Sequence, residues 1–174
     1  MIDTRLRCLS AILASISILI LAACNATTGR GEPTPEVRHQ WQAEAAAGDR
    51  EAQYKLGRSY CCGSGQNYNT NLAIEWLCRA AIQGHVQAQY ELANIYVDKS
   101  TPKSRSIQYR NIPPPARDQD ALETAYMWYT VAAGQGHPRA FEDRQRVGKM
   151  VSKQGVMDSK RSATNWRQYR CPSY

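Results

Sequence analysis

Apolar positions recur at helical spacing along most of the chain. Ala52, Leu56 and Tyr60 fall four residues apart and so share one helix face. The arrangement returns as Ala88, Leu92 and Tyr96, an offset of 36 residues. A second unit runs from Ala73 through Trp76 to Ala80-Ala81 and closes on Gln83-Gly84-His85. It returns as Ala125 through Trp128 to Ala132-Ala133, closing on Gln135-Gly136-His137. A period in this range predicts stacked helical hairpins.

The boundaries follow from caps and breakers. Thr34-Pro35-Glu36 reads as a helix start, with a hydroxyl cap, proline in the first turn and an acid near the positive end; this helix runs to about Ala47 and stops at Gly48. Glu51 to Tyr60 is the next helix, and Cys61 to Tyr68 a turn. Asn69 or Thr70 caps a helix running to about Gln83. Gln87 to Val97 repeats Glu51 to Tyr60. The pattern is then interrupted: Tyr96 to Ala125 is 29 residues, against 13 from Tyr60 to Ala73, which leaves an insertion of 16. Its Pro113-Pro114-Pro115 cannot be helix interior. Ala121 to Ala133 is the second tryptophan-bearing helix. A polar last hairpin, Pro138 to Met150 and Ser159 to Tyr169, suits a terminal cap, with Val147, Met150, Met157, Ala163 and Trp166 covering the end of the stack. No segment alternates with period two, so the expected fold is all-α.

The first residues are read apart from the fold. Arg5 and Arg7 precede an uncharged run, Leu9 to Leu21, which ends in Leu21-Ala22-Ala23-Cys24. That string resembles the lipobox of bacterial lipoproteins. The resemblance implies a signal peptide over residues 1–23, a diacylglyceryl group on the thiol of Cys24 and an acylated new amino end. An uncleaved membrane anchor and cleavage without lipid are the alternatives. Asn25 follows the cysteine where inner-membrane retention usually uses Asp, so the expected place is the outer membrane, facing the periplasm. Residues 24–33 read as a flexible tether.

The string Ala52-x-x-x-Leu56-Gly57-x-x-Tyr60-x-x-Gly63-x-Gly65, followed by Ala73-x-x-Trp76-x-x-x-Ala80-Ala81-x-x-Gly84, resembles the Sel-1-like repeat, a relative of the tetratricopeptide repeat. The resemblance implies an α-solenoid of antiparallel helix pairs, about three layers deep, in a right-handed superhelix. The repeat domain is expected over residues 34–171. Repeat 1 covers about 48–84, repeat 2 about 84–136 with the insertion at 98–120, and a capping hairpin about 137–171. The second repeat departs from the pattern at Ala93, where glycine is usual, and lacks the Gly-x-Gly turn.

In this family the first helices line the concave surface. Glu51, Tyr54 and Arg58 lie at i, i+3 and i+7, turned away from the Ala52 side, and Gln87, Tyr90 and Asn94 repeat the positions one layer on. These six are the candidate contact residues for a protein or peptide partner. The formal charge of +7 comes from scattered Lys and Arg with no dense stripe, so nucleic acid is not an expected partner. His85 and His137 occupy equivalent corners in successive layers, too far apart to share an ion. No Gly-x-Ser-x-Gly, His-Glu-x-x-His or phosphate-loop motif is present. No catalytic residue, metal or cofactor is therefore assigned.

Of the cysteines, Cys61, Cys62, Cys78 and Cys171 remain for pairing in an oxidising compartment. Cys171, on the tail, could cross to Cys61 or Cys62, or pair with another molecule; Cys78 has no assigned role. The expected function is a non-enzymatic, membrane-anchored periplasmic adaptor in envelope assembly, secretion or host contact, held to the bilayer by acylated Cys24. The alternative is a small-molecule or cell-wall-fragment binder or hydrolase, like the cysteine-rich, β-lactam-binding branch of the family. That branch staples each helix pair near its open end, where this chain has Ala52 or Gln53 and Ala81.

Overall fold

A computed structural model describes residues 35–61, 69–100 and 118–174 of the 174. The expected signal peptide, Cys24, the tether, Cys62 and the body of the insertion lie outside the described residues. Seven helices follow in order: α1 Pro35–Ala46, α2 Arg50–Cys61, α3 Thr70–Ile82, α4 Val86–Ser100, α5 Gln119–Gly134, α6 Ala140–Gly148 and α7 Lys153–Thr164. A short 3-10 turn, Trp166–Gln168, comes last, and no strand occurs among the described residues. Helices α2 and α3 form one hairpin and α4 and α5 another. The two hairpins meet through α3 and α4, α1 packs on α2, and α6 and α7 both pack on α5.

One corner is used three times. Gly48, Gly84 and Gly136 adopt φ of 100°, 87° and 86°, a left-handed conformation that glycine takes without steric cost. At each corner the next residue's N–H reaches back five positions: Asp49 to Glu44, His85 to Ala80 and His137 to Ala132, at 3.0, 3.1 and 3.0 Å. The glycine N–H reaches back three, to Ala45, Ala81 and Ala133. Both bonds together form the Schellman ending, which satisfies the last helical carbonyls. Asp49 and His85 then cap the following helix, taking the N–H of Ala52 and Ala88 on Oδ1 and Nδ1. Helix α1 therefore occupies the place of a second helix in a preceding layer, a role that its sequence shows only through Ala45 and Gly48.

A pair of amides, one buried and one exposed, recurs in each layer and joins it to the one before. Gln53 donates to the Ala45 carbonyl at 3.1 Å and accepts from Gln83 Nε2 at 2.7 Å. Gln89 and Gln135 repeat this at 3.0 and 2.7 Å, with Ala81 in the place of Ala45. These amides satisfy one another where a single unpaired one would be costly. The small residues of the motif let the helices approach. A Cβ on Gly57 would lie 2.7 Å from Leu77 Cγ and 2.8 Å from the Leu77 backbone nitrogen.

The core holds Leu77, Leu92, Leu122 and Trp128, all fully enclosed. Trp76, the echo of Trp128, is only half-buried: it faces the N-terminal end of the stack beside Ala45 and Ala52, with the Arg79 guanidinium 4.6 Å from its ring. Trp128 is covered further by Tyr169, edge-on at 5.2 Å. Tyr60 and Tyr96 are half-buried rather than core.

Three boundaries differ from the sequence expectation. Helix α4 continues past Val97 to Ser100, and α5 starts at Gln119. The Asp118 N–H bonds the Ser100 carbonyl at 3.2 Å, so the chain returns to the point it left. The last helix begins at Lys153, six residues before Ser159, because the Ser152 hydroxyl caps it by accepting from the Gly155 N–H. That shift turns Met157 outward, 55% exposed, whereas Val147 is buried as a cover of the end should be.

Candidate functional site

The first helices carry one cluster of contacts in two copies. The Tyr54 hydroxyl donates to Glu91 Oε1 at 3.1 Å, and its ring stacks on His85 with centroids 4.1 Å apart. One layer on, the Tyr90 hydroxyl donates to Asp143 Oδ2 at 2.7 Å, and its ring stacks on His137 at 3.9 Å. A guanidinium lies 5.8 Å from each tyrosine centroid, Arg58 for Tyr54 and Arg139 for Tyr90. The imidazoles reach back one layer: His85 Nε2 is 3.1 Å from Glu51 Oε2, and His137 Nε2 is 3.1 Å from Gln87 Oε1. Since His85 Nδ1 accepts the Ala88 N–H, its ring proton sits on Nε2, facing Glu51. Burial, then the Glu91 carboxylate, pushes the Tyr54 phenol up to about 12, and burial with Asp143 raises Tyr90. Both phenols remain donors at neutral pH.

The six candidates lie on this one strip, but they are not equally free. Glu51 and Arg58 are exposed; Tyr54, Gln87 and Asn94 are half-buried. Tyr90 is 7% exposed, and Asn94 Oδ1 receives the Tyr129 hydroxyl at 2.5 Å. Much of their polar capacity therefore serves the joint between layers. Two members of the strip, Glu91 and Asp143, were not among the candidates. Each stands six residues after the histidine of a Gln-Gly-His corner, a signal that the repeat alignment already contained.

His137 is the strip's pH-sensitive member. Its Nδ1 is buried with no hydrogen-bond partner, and burial, aided by Arg139, lowers its pKa from 6.5. The unfolded chain therefore binds this proton more readily than the folded one. Stability is full above 6.5 and is lost as pH falls through that value toward the lower, folded pKa. Urea unfolding at neutral and mildly acidic pH should show this decline. His137→Gln, which keeps a donor toward Gln87, should flatten it; equal slopes in both proteins would rule out His137 as the source.

The back of the stack is closed by the tail. Cys171 is disulfide-bonded to Cys78, with Cα atoms 5.7 Å apart across 93 residues of sequence. The expected crossing to Cys61 or Cys62 is corrected: the 3-10 turn carries the tail onto α3, where Cys78 is buried, and the Tyr174 N–H bonds Glu75 Oε2 at 3.1 Å. Cys61 is disulfide-bonded as well. Beside the tail, α5 and α7 leave a cleft of about 230 Å³ lined by Asp120, Glu123, Asp158 and Tyr169. Among the described residues no three metal-ligating side chains converge, and no helix is long and apolar enough to cross a membrane.

Residues 50–85 and 117–137 match the Sel1 repeat. The first match spans α2, α3 and the Gly84 corner; the second spans α5 and the Gly136 corner. Helix α4 and the insertion lie between the two matches, although α4 makes the repeat's contacts through Gln89 and Tyr90. No curated protein matches the chain.

Proposed function

Taking as premise that this chain is a Sel1-like repeat protein, a kind of repeat that generally mediates protein–protein interaction, we propose a lipid-anchored periplasmic adaptor. Its partner is a protein or peptide lying along the strip of first helices. The observation that carries this reading is the strip itself. Tyrosine, histidine and carboxylate are knitted across layers into a rigid wall, and the charged ends of Arg58 and Arg146 stand outside it. A rigid polar wall with exposed tips loses little entropy on binding. The leader pattern ending at Cys24 supplies the anchor and the compartment in this reading.

The test places a photo-crosslinking residue at Lys55, on the strip, or at Lys160, on α7, in the full chain in envelope preparations. A discrete protein adduct from Lys55 that is absent from Lys160 supports the adaptor. Equal adducts from both positions, or none from Lys55, would overturn it. Metabolic labelling with palmitate, lost in Cys24→Ala, tests the anchor separately.

A further inference from the structure

The tail is a strap laid along α3 in reverse. Trp166 stands over the Gly84 corner, where a Cβ would lie 3.6 Å from its ring. Cys171 is then bonded to Cys78, and the Tyr174 N–H bonds Glu75 Oε2. Residues 169–174 carry no helix of their own. Tyr169 meets the edge of Trp128 and forms one wall of the cleft between α5 and α7. The two sulfurs of the bond are placed unequally. Cys78 lies in the core at 0% exposure, whereas Cys171 is half-buried on the strap, next to exposed Arg170.

We propose that the Cys78–Cys171 bond is an operable clasp on this strap, opened by a dithiol reductant that enters at the sulfur of Cys171. The proposal goes beyond the adaptor reading and does not rest on it. A disulfide opens when a thiolate attacks one of its sulfurs, and access decides which. Core side chains cover Cys78, so the new bond forms to Cys171 Sγ. The bond between the cysteines breaks, its electron pair leaves on Cys78, and Cys78 takes a proton. The second thiolate of the reductant then attacks the first sulfur. Cys171 leaves as a thiolate and is protonated, and the reductant becomes a disulfide. Two electrons and two protons thus pass from the dithiol to the cysteine pair. The clasp rests closed, because Cys78 leaves as a charge in apolar surroundings and returns readily to a mixed disulfide still lying over it. A monothiol therefore stalls at that stage, whereas a dithiol completes the exchange with its tethered second sulfur. Opening bares the edge of Trp128 and removes the Tyr169 wall of the cleft. The packing of α2 on α3 and of α4 on α5 does not pass through the strap and stays.

The full chain, in neutral detergent without denaturant, is treated with reduced glutathione and separately with dithiothreitol. Acid quenching, alkylation and peptide mapping read each cysteine by itself, since Cys61 is disulfide-bonded too. Glutathione should be found on Cys171, with Cys78 alkylated. Dithiothreitol should free both sulfurs and let trypsin cut after Arg167 and Arg170 while the helical circular dichroism is retained. Tyr169→Ala loosens the strap without touching a sulfur. It should shift the thiol–disulfide balance toward the open form by about twofold to tenfold, the worth of one aromatic pair. Phe141→Ala, at an exposed site on α6, should leave that balance unchanged. Glutathione on Cys78 or on neither cysteine would overturn the proposal. So would reduction only in urea that also melts the helices, a tail equally resistant to trypsin after reduction, or an unmoved balance in Tyr169→Ala.

Discussion

Replacing both Cys78 and Cys171 by alanine lowers the stability of the folded chain by about 4–5 kcal/mol. The bond closes a loop of 93 residues, and a loop near that length removes about that much configurational freedom from the unfolded chain. The double variant is the right comparison, because a single one leaves a free thiol and added reductant would also reach the bond at Cys61. Urea unfolding extrapolated to water with each protein's own m-value measures the loss, and the variant's m-value should be the larger because its unfolded chain is no longer cross-linked. The same variant should release the tail. Tyr174 would leave Glu75, Tyr169 would leave the edge of Trp128, and the last residues would become sensitive to protease at low urea. A loss below about 1 kcal/mol, with the tail still protected, would mean that packing alone holds the tail and that the covalent link adds little.

Gly57→Ala is expected to destabilise the chain by about 1–3 kcal/mol, although the same exchange in an open helix gains about 1. Two effects compete. Alanine restricts the unfolded backbone and favours helix. Against it, the new methyl would stand 2.7 Å from Leu77 Cγ and 2.8 Å from the backbone nitrogen of the same residue. A side chain could turn aside, but the backbone of α3 cannot without separating the hairpin. The clash therefore wins. Ala93 holds the equivalent position in the next layer and is fully buried there, so a methyl is accommodated in that hairpin. Ala93→Gly should accordingly lose stability too, for the opposite reason: a small void and a freer unfolded backbone. Chemical denaturation of the two variants separates these cases, and a stabilised Gly57→Ala would show that α2 and α3 do not cross closely at this point.

Helix positions were legible because their signals are local. Ala52, Leu56 and Tyr60 repeat at helical spacing, Asn69 caps its helix as read, and Gly84 and Gly136 end theirs in the conformation glycine favours. The partner of Cys171 was not legible, since it depends on where the tail crosses after Trp166, and no spacing encodes that path. The end of the stack misled for a different reason. Ser152 is a local cap that the hydrophobic spacing passed over, and α7, starting there, carries Met157 on its outward face. Trp76 and Trp128 match in sequence but differ in enclosure, because an edge layer and a middle layer have different numbers of neighbours. The strip was half legible. Helical spacing put Tyr54 and Tyr90 on equivalent faces, but it could not show that Glu91 and Asp143 reach across from the following layer to occupy their hydroxyls.

The bond from Asp118 to Ser100 has a further consequence. It fastens the last residue of α4 to the residue that caps α5, since the Asp118 carboxylate also accepts the Ala121 N–H. One residue thus both starts a helix with its side chain and, through its own backbone, pins that start to the end of the helix before it.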